Sequence, residues 1–262
     1  MTKSSPQTPS QCTSISDLIQ IPDYSLLPSP RWVRTFFNGQ LVADSREMVL
    51  FFERPYPNYF FPRRHVRMDY LHKSDYIESR EGRGESEFWH LEVDGKRAEN
   101  AAFSHLGHGM GEYLTFKWTA MERWLEEDEE IFVHARNPYH RVDALPSSRH
   151  IEVMLEGVQL AASRTPVLLF ETGLPTRYYL PREDVCMELL ETTDTVTRCP
   201  YKGMARTFGV RLAEQLYPDY AWSYPAPLAA CAGIENRICF YNEVVDISED
   251  GEPLCRPVTH FK

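Results

Sequence analysis

The run Cys199-Pro200-Tyr201-Lys202-Gly203 sets a thiol and an amine within one short stretch that also holds a proline and a glycine. Pro and Gly favour a tight turn, and such a turn brings the Lys202 ammonium toward the Cys199 sulfur. A nearby cation stabilises a thiolate, the nucleophilic form of cysteine. The other reading of the same residues is a small buried hydrophobe beside a surface lysine. Glu171 adds a carboxylate able to act as acid or base, and Arg164 and Arg177 add guanidinium groups able to hold an anion. Tyr179, Tyr201, Trp222 and Tyr224 supply phenol and indole groups. Aromatic walls with a few convergent polar groups are what a small-molecule pocket needs. The expectation is a pocket with Glu171 as acid/base, Arg177 and Lys202 as anion stabilisers, and Cys199 as nucleophile or pocket-lining thiol. Arg164, Tyr179, Tyr201, Trp222 and Tyr224 are its candidate substrate-binding residues. A plain aromatic core stays open, as does a structural ion pair for Glu171 and Arg164.

An internal duplication weighs these residues. Residues 39–57 and 157–175 share Gly39/Gly157, Ala43/Ala161, Ser45/Ser163, Arg46/Arg164, Val49/Val167, Leu50/Leu168, Phe52/Phe170, Glu53/Glu171 and Pro57/Pro175 at a constant offset. With one residue inserted before Arg177, Tyr59/Tyr178, Pro62/Pro181, Val66/Val185, Met68/Met187, Gly84/Gly203, Ala102/Ala221 and Ser104/Ser223 follow. After a further length change of three residues, Glu127-Asp128 meets Glu249-Asp250. A period of roughly 118 residues is far too long for a solenoid or propeller blade and fits two tandem domains. What the copies share is credited to folding. Arg80, Glu81, Gly82, Arg83 and Gly84 stand opposite the thiol-bearing turn, so glycine and cation persist while the thiol does not. Asn58 stands opposite Arg177, Phe103 opposite Trp222 and His105 opposite Tyr224. The added groups of the second copy predict one working pocket there.

Composition narrows the partners. A net charge of −10 and a pI near 5.4 argue against nucleic acid, whose binders need clustered cations. The basic run Arg63-Arg64-His65-Val66-Arg67, closed by Asp69, reads as a solvated strand edge. No stretch approaches the apolar length of a transmembrane helix, and residues 1–16 hold no apolar signal core. Six cysteines without a C-x-x-C, five of them in the second half, read as reduced thiols. Together these predict a soluble cytoplasmic protein with no membrane and no nucleic-acid partner. His105, His108, His134 and His140 lack complementary ligands at metal spacing, so no metal and no cofactor are expected. There is no Walker A, G-x-G-x-x-G or G-x-S-x-G sequence, and the run Leu106 to Gly111 reads as a flexible turn. The composition sets no oligomeric state.

Strand signals dominate the chain. Asn38-Gly39 and Asp94-Gly95 are hairpin pairs, and Met48 to Glu53 and Pro166 to Glu171 are short apolar runs of buried-strand type. Thr119-Ala120-Met121-Glu122 has capping-box spacing, predicting a short helix with Trp118, Met121, Trp124 and Leu125 on one face and a solvated acidic end, Glu126 to Glu130. The reading is mainly β: two tandem small antiparallel barrels or folded-over sheets, with one short helix in the first. The boundaries are an N-terminal disordered or extended arm at 1–30, a first domain at 31–133, an ordered connector at 134–148 and a second domain at 149–262.

Three motifs in order, Glu171 to Pro181, Cys199 to Gly203 and Ala221 to Pro225, resemble the domain of unknown function family DUF427, with a diverged first copy over about residues 31–133. The connector His134 to Asp143 is similar to that of two-copy members. The resemblance implies small antiparallel β-domains of tent-like or barrel-like form. It marks Glu171, Arg177, Cys199, Lys202, Trp222 and Tyr224 as positions to watch and implies no particular reaction. Function is expected to be that of a cofactor-independent hydrolase, lyase or isomerase acting on a small organic molecule. The alternatives are a non-catalytic small-molecule or peptide-binding module and nucleotide transfer, a label some members carry.

Overall fold

The structure, a computed structural model, describes residues 26–52, 56–80, 84–107, 109–259 and 261. The chain divides into two compact units, Ile21–Asn137 and Pro138–Lys262. The first holds β1 (Leu26–Ser29), β2 (Val33–Phe37), β3 (Gln40–Ser45), β4 (Met48–Phe52), β5 (Pro57–Pro62), β6 (Leu71–Arg80), β7 (Gly84–Val93), β8 (Lys96–His105), β9 (Tyr113–Phe116), β10 (Arg123–Glu126) and β11 (Glu129–Ile131). The second holds β12 (Val142–Pro146), β13 (Ile151–Leu155), β14 (Val158–Ser163), β15 (Val167–Glu171), β16 (Arg177–Leu180), β17 (Leu190–Cys199), β18 (Gly203–Leu212), β19 (Gln215–Pro227), β20 (Ile238–Phe240), β21 (Asp246–Glu249) and β22 (Glu252–Pro253). Among the described residues each unit is built of a seven-stranded and a four-stranded antiparallel sheet. The seven-stranded orders are β1-β4-β5-β9-β8-β7-β6 and β12-β15-β16-β20-β19-β18-β17, and neither closes into a barrel.

Local chemistry explains the hairpins. Asn38-Gly39, Asp94-Gly95 and Glu156-Gly157 all take positive φ at both residues, as tight two-residue turns between twisted strands require. Two sequence expectations fail here. Thr119 to Glu130 is not a helix beyond the single 3-10 turn Trp118–Ala120, and Trp124 and Leu125 continue into β10. Glu122 caps nothing; it accepts from the Gly39 amide at 2.8 Å and the Lys96 ammonium at 2.7 Å. Long-range strand pairing outweighs a local propensity worth at most a few kcal/mol. The basic run is not a strand edge either: Arg63–His65 is a 3-10 turn, and Arg63, Arg64 and Arg67 bind Glu87, Glu47 and Asp69.

The core of each unit lies between its two sheets. In the second unit Leu168, Tyr178, Leu180, Phe208 and Phe240 meet Ile151, Val153, Leu160 and Ile247 from the smaller sheet. Their sequence neighbours Val167, Leu169, Tyr179 and Cys239 belong to another buried cluster, on the opposite face of the same strands, with Trp222, Tyr224, Cys231 and Ile234. A sheet buried on both faces needs continuous apolar runs, not alternation, which is why these strands read so. Residues 134–148 include β12, paired to β15, and Leu26–Ser29 is the matching strand β1 on β4. Leu27-Pro28-Ser29 and Leu145-Pro146-Ser147 carry that equivalence in the sequence. No helix among the described residues is long and apolar enough to cross a membrane, which says nothing of a β-barrel.

Pairing also corrects the end of the repeat. Glu126 lies opposite Val33 and Glu249 opposite Ile151, so Glu126, not Glu127, is the mate of Glu249, and Glu127 is the equivalent of Asp250 in the repeat. The Glu-Asp identity is a coincidence one residue out of register. Both glutamates do the same work. Glu126 accepts from Tyr59 at 2.6 Å and Arg31 at 2.6 Å, and Glu249 from Tyr178 at 3.3 Å and Arg149 at 2.9 Å. Glu126 is therefore buried rather than solvated, its side chain 4% exposed against 22% for Glu249. Tyr59→Phe is expected to destabilise by about 1–3 kcal/mol, since it strips a short bond from a buried carboxylate, and Tyr178→Phe by less than about 1 kcal/mol. Urea denaturation of the two variants checks the order; equal costs would contradict it.

Candidate functional site

The outer cluster of the second unit gathers most of the predicted residues. Glu171 ends β15, Arg177 and Tyr179 lie on the adjacent β16, and Trp222 and Tyr224 lie on β19 beyond β20. The turn from Cys199 to Gly203 joins β17 to β18. Gly203 has φ +99°, and a Cβ there would stand 3.3 Å from the Ala226 carbonyl. The turn therefore needs glycine, and Gly84 repeats it at φ +79°. Among the described residues the counterpart turn is incomplete, since Glu81, Gly82 and Arg83 lie outside them, as does Glu53.

Glu171 is the hub. One carboxylate oxygen takes the Lys202 ammonium in a short contact, and the other takes His140 Nε2 at 2.9 Å. Burial opposes charge on Glu171, but the His140 hydrogen bond and the Lys202 cation outweigh it and hold the carboxyl below its usual range. Burial likewise opposes the Lys202 ammonium, and Glu171 raises it above the usual lysine value. An ionised carboxylate only accepts, so Nε2 of His140 carries the proton and Nδ1 is left as the ring's other nitrogen. Tyr201 stacks on the His140 ring at 4.2 Å. His140 just precedes β12, and its side chain remains 18% exposed while that of Glu171 is 5% exposed. Sequence spacing considered His140 only as a metal ligand; nothing local in the sequence joins it to Glu171.

Arg177 is drawn into a different contact. It donates to both oxygens of Glu243 at 2.7 Å and to Asn242 Oδ1 at 3.2 Å. Its guanidinium carbon lies 5.5 Å from the Trp222 ring centre and 5.7 Å from that of Tyr241. Burial opposes its charge, and the Glu243 hydrogen bonds more than restore it. Strand register sets Asn242 opposite Trp118 and Glu243 opposite Thr119, so both are polar groups of the second copy that lie beyond the runs matched in the sequence. Tyr179 accepts from Trp222 Nε1 at 3.0 Å, and its hydroxyl, like that of Tyr224, is pushed well up by burial. Cys199 is half-buried where β17 enters the turn. Arg164 stands apart from this cluster, exposed in the turn after β14.

The first unit fills the same face differently. Phe51, Phe60 and Met110 pack there with Phe103, and His105 bonds Ser86 at 2.8 Å. Phe60 replaces Tyr179, and His105 replaces Tyr224. Among the described residues this face of the first unit carries phenylalanines, a methionine and the Ser86–His105 pair where the second unit carries phenols and an indole. His134 contacts the Ala135 carbonyl and stacks on Tyr56 at 3.9 Å, and His108 lies outside the described residues. Among the described residues no group of three His, Cys, Asp or Glu is placed to hold a metal ion.

No curated protein gives a significant match to the chain. The family model described as Domain of unknown function (DUF427) matches residues 25–127 and 143–251, one match in each unit. The chain belongs to the DUF427 family and carries its domain twice.

Proposed function

We propose that the second unit is a cofactor-independent enzyme of the hydrolase, lyase or isomerase type, acting on a small organic molecule by proton transfer through His140. The observation that carries this reading is the line Lys202–Glu171–His140 beside the aromatic cluster of the second unit. A buried carboxylate that fixes one imidazole nitrogen leaves the other to take and return a proton, the arrangement of hydrolytic triads. Lys202 keeps Glu171 ionised, so Glu171 becomes the orienting group and His140 the acid/base. Cys199 is a nucleophile or wall of the site, and Tyr179, Tyr201, Trp222 and Tyr224 shape it. Arg177 serves through its hold on Glu243. The five free thiols among the described residues support a reducing compartment, the cytoplasm.

The test is turnover by the full chain of a panel of esters, lactones, thioesters and enolisable ketones, followed by NMR. His140→Ala is expected to lower kcat about 10²–10⁴-fold with KM little changed. Unchanged turnover in that variant would sink the assignment. Panel members that bind without reacting would favour a binding module. A magnesium-dependent thermal shift with nucleoside triphosphates would favour nucleotide transfer.

A further inference from the structure

Two thiols meet the turn that carries Tyr201 and Lys202. Cys199 ends β17 and pairs with Gly203 across the hairpin. Cys231 is fully buried in the 3-10 segment Ala229–Ile234, and its Sγ donates to the Tyr201 carbonyl at 3.6 Å. Leu228, which heads the same segment, donates its N–H to the Lys202 carbonyl at 3.1 Å and accepts from Cys231 N at 2.8 Å. Cys199 thus opens the turn and Cys231 lies against its middle.

The duplication treats the two thiols alike. Arg80 pairs with Gly84 where Cys199 pairs with Gly203. Gly107 stands where Cys231 does, because the Tyr113 N to Met110 O bond is the mate of Arg237 N to Ile234 O. Neither thiol is needed for the fold of the first copy, and the second copy has both at one turn.

We propose that Cys199 and Cys231 are a peroxide-reactive dithiol that oxidises to an intramolecular disulfide across the Tyr201–Lys202 turn. Cys199 is the attacking sulfur: it is the more exposed of the two and stands at the start of the turn, where peroxide can reach it. As thiolate it attacks one peroxide oxygen and the O–O bond breaks. Cys199 becomes a sulfenic acid, and the other oxygen leaves as water or an alcohol, having gained the thiol's proton. Cys231 then attacks that sulfur. The S–O bond breaks, and the sulfenic oxygen departs as water with the Cys231 proton. Two thiols are oxidised and one peroxide is reduced. Burial pushes the Cys231 thiol up to about 11, which suits a resolving rather than an attacking group. The disulfide withdraws Cys231 from the Tyr201 carbonyl and ties the turn that positions Lys202 on Glu171 and Tyr201 on His140. Oxidation state is thereby coupled to the candidate site.

The reduced full chain is exposed to hydrogen peroxide, alkylated with N-ethylmaleimide and digested without reductant for mass spectrometry. The expected product is a Cys199–Cys231 peptide pair that has lost two hydrogens and separates with dithiothreitol. Cys231→Ser is expected to leave a dimedone adduct on Cys199, and Cys199→Ser to abolish both cross-link and adduct. Alkylation of both cysteines in the treated unsubstituted chain, or cross-links dominated by Cys12, Cys186, Cys239 or Cys255, would overturn the proposal without recourse to any variant. A dimedone adduct on Cys231 in Cys199→Ser would overturn the assignment of the attacking sulfur.

Discussion

Lys202→Met is expected to destabilise the second unit by about 3–5 kcal/mol, because it leaves the Glu171 carboxylate buried without its cation. Lys202 and Glu171 side chains are 11% and 5% exposed, so water cannot replace the lost partner. Adding Glu171→Gln should recover much of the loss, since an amide oxygen still accepts from His140 and no charge remains to be compensated. The pH dependence has a defined sign. Glu171 titrates below its usual range in the folded protein, so its contribution is complete above about pH 4.3 and is lost as pH falls through the depressed value. Lys202 titrates above its usual value, so its contribution is complete below about pH 10.4 and is lost as pH rises through the elevated one. The gap between wild type and Lys202→Met, read by urea denaturation, should therefore narrow toward acid, where Glu171 becomes neutral in both proteins. A gap independent of pH would refute the pairing as its cause.

Arg177→Met should cost a similar amount, about 3–5 kcal/mol, by stranding Glu243. The Glu243 side chain is 3% exposed and would be left with the Thr259 hydroxyl as donor, at 2.6 Å, while Asn242 Oδ1 loses the same guanidinium. Arg177→Lys should recover little. One ammonium cannot reproduce two parallel N–H bonds to a carboxylate together with the bond to Asn242. A lysine variant as stable as wild type, measured by the same denaturation, would show that charge alone matters there.

These two ion pairs separate what comparison of the copies could and could not reveal. The glycine at 84 and 203 persists because the turn demands positive φ, and backbone demands are written locally. The Tyr59–Glu126–Arg31 and Tyr178–Glu249–Arg149 sets also persist, yet alignment missed them by one residue. Their register is set by hydrogen bonds between strands far apart in sequence. The helix expected at Thr119 failed for the same reason: local capping chemistry lost to pairing with β2.

At the candidate site, Glu171, Lys202, Tyr179, Trp222 and Tyr224 were legible because the second copy keeps or gains polar and aromatic groups on a common framework. Their grouping follows from sheet order, which sets β15, β16, β20 and β19 side by side. His140, Glu243 and Cys231 were not legible as partners. Each reaches the site from outside the repeat's shared strands, on a segment whose path depends on the finished sheet.

The amino-acid sequence by itself determined that the chain folds twice into the same antiparallel β-unit, and that the two copies differ in chemistry. Strand runs, hairpin pairs and turn glycines are short-range properties, and a duplicated pattern of them survives divergence. Only the tertiary structure decided that Glu171 is shared by His140 and Lys202, that Arg177 belongs to Glu243, and that Cys199 and Cys231 flank one turn. A buried charge takes whichever opposite charge the sheet brings within hydrogen-bond distance, and that choice is made by packing across many tens of residues rather than by neighbours in the chain.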